Sequence, residues 1–302
     1  MVFNLFKSNE QQSEVNRVKV NDDETQSNVS IERQDSCDHL CRDDYQNMGL
    51  PFPPSLPTPK SSFHKRELPS NLIQFSSEEG KKLFTKSLVS DMANAYFPLS
   101  EQFLSQSDPA YCGVATLIMI LNAMGIDPKI VWKGAWRWFG SEEMILEKCC
   151  INPERVKRAG ILMEEFCSLA ECQGLRVDLK RPCAPSQGDE SNPCHTLYNF
   201  RKDVINATKN PPSSGENGPE GAFLVVAYSR SSLGQTGSGH FSPVAAYSKE
   251  TDKCLILDVA RFKYPPYWVS VEELYEAMRP EDVVTHKSRG WFMMYPPSNS
   301  KK

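Results

Sequence analysis

The stretch that decides the fold is Asp108-Pro109-Ala110-Tyr111-Cys112-Gly113, running straight into VATLIMILNAM at 114–124 and then Gly125. The run after Gly113 is apolar on nearly every face of a helix, so it reads as a helix buried in a core rather than one lying on a surface. Gly125 stands where a left-handed residue ends such a helix. Cys112 falls in its first turn. A thiol there feels the positive end of the helix dipole and unpaired backbone N–H groups, both of which favour the thiolate. Cys112 is therefore either a nucleophile or a small core hydrophobe.

Working outward, Ser76-Ser77-Glu78-Glu79 caps a helix that carries Leu83, Phe84 and Leu88, and Leu99 to Gln106 forms a short linking helix or turn. After Gly125, one helix runs through SEEMILEKCC at 141–150 and a second opens at Asn152-Pro153 as N-cap and first residue. A third carries Met163, Phe166, Leu169 and Ala170 and closes at Gly174, and Thr196 to Lys209 makes another. Strands are expected at 175–179, 222–229, 240–247, 253–259 and 291–295, with Ser270-Val271-Glu272-Glu273 capping a helix between the last two. Helices come first and an antiparallel sheet second. That order predicts α+β rather than a doubly wound sheet.

A nucleophilic cysteine needs a base. Of the five histidines, His39 and His64 lie in polar N-terminal sequence and His195 and His286 in loop-like or irregular sequence. His240 alone opens an apolar alternating strand, directly after the glycine-rich Gly234-Gln235-Thr236-Gly237-Ser238-Gly239, which reads as a loop of close approach beside a site. A hairpin turning at 248–252 sets Asp258 almost opposite His240 on the next strand. An aspartate closing the apolar Cys254-Leu255-Ile256-Leu257 is costly unless it has a partner, and orienting a histidine supplies one. Cys, His and Asp in this order form the constellation of thiol acyl transfer. Gln106, six residues before Cys112, is the candidate donor to an oxyanion.

Composition narrows the partners. Lys+Arg 34 against Asp+Glu 38 gives a net charge of −4, and no basic stripe interleaves with aromatics, which argues against nucleic acid. A mean hydropathy of −0.48 and the lack of a long apolar run predict a soluble chain without a membrane span. The ten cysteines are too sparse for a disulfide scaffold, and the apolar start of MVFNLFKSNEQQSE is too short for a signal peptide. A reducing, cytoplasmic setting follows, with thiols acting as packing groups, ligands or nucleophiles rather than bridges. Glu10, Glu14 and Asp22 make the N-terminus a poor match to a transit peptide. Residues 1–65, polar and then proline-rich, read as a disordered or loosely attached extension in which Cys37 and Cys41 are half a metal site or two thiols of a tail. The folded region spans 66–298, and 299–302 is a tail.

The segments SQSDPAYCGVATLIMILNAMGIDP, WKGAWRWFGSEEMILEKCC, GQTGSGHFSPVAAY and LILDVARFKYPPYWV resemble those of phytochelatin synthases, the glutathione γ-glutamylcysteinyltransferases, over about 67–297. The resemblance implies a papain-like cysteine-peptidase fold and transfer of γ-Glu-Cys from glutathione through a Cys112 thioester, with glutathione or a growing phytochelatin as acceptor. It implies His240 as base and acid, Asp258 as its orienter and Gln106 as oxyanion donor. Tyr111, Arg230, Arg261, Lys263 and Tyr264 fall on positions similar to those lining the family's substrate sites, and Arg and Lys suit the carboxylates of glutathione.

The resemblance implies no organic cofactor. It implies activation by thiophilic Cd²⁺, Zn²⁺ or Cu ions as glutathione thiolates, in a role of heavy-metal detoxification. Cys149, Cys150 and Cys172 match family positions and are candidate metal ligands, whereas Cys167 is displaced by one residue from the family's usual spacing. The cysteine-bearing C-terminal region common in plant members does not follow Lys302. A homodimer stays open. So do two other activities: hydrolysis of the same acyl-enzyme, as a glutathione or glutathione-conjugate carboxypeptidase, and metal buffering by the thiols themselves.

Overall fold

A computed structural model of the chain describes residues 64–149, 151–183, 194–212 and 221–298. Cys37, Cys41 and Cys150, all but the last two residues of the 1–65 extension, and the tail at 299–302 lie outside those residues. Local sequence signals start most helices where they were expected, but the linking helix begins at Tyr96, three residues before the expected Leu99, and takes Pro98 into its first turn. Ser77 Oγ accepts from Gly80 N at 3.0 Å to open α1 (Glu78–Val89), and the linking helix is α2 (Tyr96–Glu101). The buried apolar run is α3 (Cys112–Ala123), with Cys112 as its first residue. After α4 (Glu142–Lys148), Asn152 Oδ1 accepts from Glu154 N and Arg155 N at 3.0 and 3.3 Å to open α5 (Pro153–Ala159). α6 (Met163–Cys172) and α7 (Leu197–Lys209, capped by Thr196) follow, and α8 (Val271–Met278) comes late in the chain.

The strands are β1 (Ile73–Gln74), β2 (Arg176–Lys180), β3 (Phe223–Ser229), β4 (Gly239–Ser248), β5 (Lys253–Ile256), β6 (Tyr267–Ser270) and β7 (Gly290–Tyr295). They form one seven-stranded antiparallel sheet in the order β1-β6-β5-β4-β3-β7-β2. The fold class is α+β, as the element order implied. Two strands, β1 and β6, were not anticipated: each is short, and Pro265-Pro266 before β6 masks its alternation.

β3 is buried along its whole length, which is unusual for an antiparallel strand and follows from helices covering both faces of the sheet. Phe223, Val225 and Ala227 pack with α3, α4 and α6 on one side. Leu224, Val226 and Tyr228 pack with α7 and α8 on the other. Among the described residues no helix is long and apolar enough to cross a membrane.

β5 ends at Ile256, short of the expected Val259. Pro243 in the central strand β4 cannot donate to a ladder, and the β4–β5 register slips between Val244 and Ala246 beside it. Leu257 N still reaches Pro243 O at 3.2 Å, after which the chain leaves the sheet at Asp258.

At the start of α3, Gly113 lets the helix approach its neighbours: a Cβ there would stand 2.5 Å from Ile161 Cδ1 and 3.4 Å from Phe241 Cδ2. Gly113→Ala must therefore displace Ile161 or lift the helix off the sheet. The expected cost is roughly 1–3 kcal/mol, read as a lower midpoint in denaturant unfolding at unchanged slope. An unchanged midpoint would mean that Ile161 moves aside freely.

Candidate active site

Three elements converge at the end of β4. His240, its second residue, pairs across the sheet with Tyr228 of β3 and is 4% exposed. Asp258, where the chain has left β5, is fully buried, and its Oδ1 meets His240 Nε2 at 2.8 Å. The hairpin reading set these two side chains nearly opposite each other in a continuous ladder. The structure joins them beyond the ladder's end. The N-terminal part of α3 lies against the same strand, with Thr116 Oγ1 donating to Phe241 O at 3.2 Å, and this brings Cys112 to the imidazole. Because Asp258 holds Nε2, the ring presents Nδ1 to the thiol.

The charges are mutually supporting. Burial alone would raise the Cys112 thiol, but His240, the Phe241 backbone and the more distant Arg230 outweigh it and hold the thiol below its ordinary value. For His240, burial and Arg230 push its pKa down, while Asp258 and Cys112 push it up and prevail. Asp258 would likewise be raised by burial, yet His240, Arg230 and the Ala260 N–H bring it down to about 2. Such a site can hold a thiolate beside an imidazolium near neutral pH. The other free cysteines in the described residues lack that setting: burial and the nearby Glu171 and Glu164 push Cys167 up to about 12, and burial pushes Cys254 up.

The remaining expected residues divide. Gln106 is buried and its N–H holds Val259 O at 3.0 Å, but Nε2 spends its hydrogens on Asp108 O and Pro109 O at 2.8 and 3.0 Å, leaving Oε1 buried without a partner. As folded, its amide braces the turn before Cys112 and offers no spare donor to an oxyanion. Tyr111 is fully buried in the core with an unpartnered hydroxyl, so it supports the helix start from within. Arg230 is buried: it is 3% exposed and its Nη2 reaches Asp258 Oδ1 at 2.9 Å and Oδ2 at 2.8 Å. Its guanidinium also lies 5.2 Å over the Tyr264 ring, whose hydroxyl accepts from Thr236 N at 2.8 Å.

Arg261 is exposed over Phe103 at 4.7 Å, and Lys263 is half-buried. A cleft of about 600 Å³ opens beside them, lined by Lys65, Arg66, Glu67, Gln74, Arg261 and Tyr264. Gln235, which pairs with Arg230, and Glu142, whose Oε1 accepts from Ser107 N at 2.9 Å, were not foreseen. A lone glutamine in a run of Gly, Ser and Thr was the available signal for the first.

Of the three candidate metal ligands, Cys150 lies outside the described residues. Cys149 and Cys172 are bonded to each other across a Cα separation of 6.4 Å, and Cys183 and Cys194 across 4.5 Å, distances that permit a bridge. A disulfide sulfur has no thiolate to give a metal ion. Among the described residues no cluster of three or more His, Cys, Asp or Glu side chains could hold one. The reading of all thiols as unbridged fails for these four, because spacing along the chain says nothing of which helix ends meet.

Comparison with known proteins agrees with this geometry in extent. A phytochelatin synthase family model matches residues 63–291, which include every element of the site. The glutathione gamma-glutamylcysteinyltransferase of Schizosaccharomyces pombe is 40% identical over 237 residues, covering 78% of this chain and 52% of that protein. Glutathione gamma-glutamylcysteinyltransferase 1 of Arabidopsis thaliana is 43% identical over 238 residues, covering 78% of this chain and 44% of that protein. The chain thus spans about half the length of the curated relatives it matches. Since the match takes in the helix that carries Cys112 and the strands that bring His240 and Asp258, the chain belongs to the phytochelatin synthase family.

Proposed function

We propose that the chain transfers γ-glutamylcysteine from glutathione to a second glutathione or to a growing phytochelatin, on a papain-like scaffold. The observation that carries this is the His240–Asp258 bond at 2.8 Å with Cys112 held below its ordinary pKa by the same imidazole. Cys112 Sγ attacks the carbonyl carbon of the Cys–Gly peptide. The oxyanion meets the backbone N–H groups at the start of α3, which have no partner within the helix. As the tetrahedral intermediate collapses, the C–N bond breaks and His240 gives its proton to the departing glycine amine, leaving a thioester. The α-amine of the acceptor then attacks that thioester, His240 takes the proton, and Cys112 leaves as thiolate.

Arg261 and Lys263 are assigned to the substrate carboxylates in this reading, supported by their charge and the exposure of Arg261. Thiophilic metal ions enter this reading as thiolate complexes of the glutathione substrate. Cytoplasmic glutathione is the natural supply, and the two bridges would there be exposed to reduction.

Incubation of the purified protein with glutathione and Cd²⁺ tests the proposal. The expected products are glycine and a ladder of γ-Glu-Cys oligomers. Equal amounts of glycine and free γ-Glu-Cys, with no oligomer, would replace the transferase by a carboxypeptidase. Metal retained by the protein without any product would leave only buffering by thiols.

A further inference from the structure

Arg230 was expected at a substrate carboxylate, but the structure gives its guanidinium to the protein. On one side Nη2 reaches both oxygens of Asp258, and on the other Nη1 donates to Gln235 Oε1 at 2.5 Å. Its backbone is fixed as well: Arg230 N donates to Ser238 O at 2.8 Å, and Gln235 N to Arg230 O at 2.9 Å. The glycine-rich loop is folded onto it, and Gly237, at φ +114°, passes where a Cβ would stand 3.4 Å from Arg230 Cδ. With Asp258 at 0% and Arg230 at 3% exposure, the pair is sealed beneath this loop and Tyr264. A planar fork that spans two acceptors in fixed directions does what a lysine cannot.

We infer that Arg230, braced by Gln235, is a positioning residue for the reaction: it locks the Asp258 carboxylate in the orientation that holds His240 toward Cys112. This rests on the proposed transfer only for its kinetic part. A second consequence is electrostatic. The groups facing the Arg230–Asp258 pair are Cys112 from α3, Tyr228 from β3, His240 from β4, Lys263 from the segment after β5, and Tyr267 from β6. Among them Arg230 is a fixed, buried positive charge that makes proton binding harder at Cys112, His240 and Asp258 alike. Removing it raises proton affinity at both members of the thiolate–imidazolium pair, so both edges of the pH window in which that pair exists move up.

The test uses Arg230→Met and Arg230→Lys in the full chain, with two readouts: the pH profile of Cys112 alkylation by iodoacetamide, and kcat and KM for glycine release from glutathione. Arg230→Met is expected to move the alkylation profile to higher pH by about one unit and to lower kcat by about 100-fold. Arg230→Lys keeps the charge and loses the fork. Its alkylation profile stays in place while kcat falls by about tenfold and KM changes less than twofold. Should the methionine variant not fold, the lysine variant decides. A rise in KM at unchanged kcat in the lysine variant, or an unmoved alkylation profile in the methionine variant, overturns the inference. If alkylation behaves as expected but the parent protein makes no product from glutathione, the clamp stands and the transferase reading falls.

Discussion

Cys112→Ala is expected to yield a folded chain that releases no glycine from glutathione and accumulates no acyl-enzyme. The loss in kcat is expected on the order of 10⁴-fold or more, because a covalent intermediate has no substitute path once its nucleophile is gone. Neither remaining free thiol of the described residues can take over. Cys254 is buried, and Cys167, held up near 12, is almost wholly protonated at neutral pH. Folding should survive, since alanine keeps the Cβ and the N-terminal start of α3 does not depend on the sulfur. Intact-protein mass spectrometry after a short exposure to glutathione reads the result: the parent gains one γ-glutamylcysteinyl group, and the variant gains none. Residual acylation of the alanine variant would place the nucleophile elsewhere.

How much of this was legible without the structure depends on how local each signal is. The Cys112 helix, the Asn152 cap, the helix opening at Thr196 and the order of helices before sheet are written in adjacent residues, and the structure follows them. The Asp258–His240 contact was legible because a hairpin ties distant numbers together through one turn. Even so, Pro243 broke the ladder before it reached the pair. What escaped the sequence is whatever depends on which surfaces meet. Nothing near Cys149 names Cys172 as its partner, since that pairing needs the C-termini of α4 and α6 to be side by side. Arg230 carried a charge that reads equally well as a substrate hook. Only its 3% exposure and its two internal partners turn the guanidinium inward. Around Gln106, too, the sequence is silent on what the structure shows: the turn it precedes presents two carbonyls that take up its amide hydrogens.

Asp258→Asn separates the two duties of the carboxylate and should cost the protein both. The amide has no charge to steady an imidazolium, and it can present its NH₂ to His240 Nε2 and so fix the wrong tautomer. In a serine protease the corresponding change lowers kcat by about 10⁴-fold, and a fall of that order is expected for glycine release here. The structural cost is separate. Without the carboxylate's charge, Arg230 remains buried with no anion, and breaking a sealed pair from one side costs about 3–5 kcal/mol.

The pH dependence gives the sign. Asp258 is held at about 2 against an ordinary 3.8, so its contribution to stability is complete above that ordinary value and disappears as pH falls through about 2. The deficit of the asparagine variant is therefore largest at neutral pH and shrinks as the parent approaches pH 2, where the parent too loses its carboxylate. Unfolding by denaturant at pH 7 and again near pH 2.5 measures this directly. A deficit equal at both values would mean that the loss comes from packing around the side chain, and that the charge on Asp258 does not hold Arg230 in place.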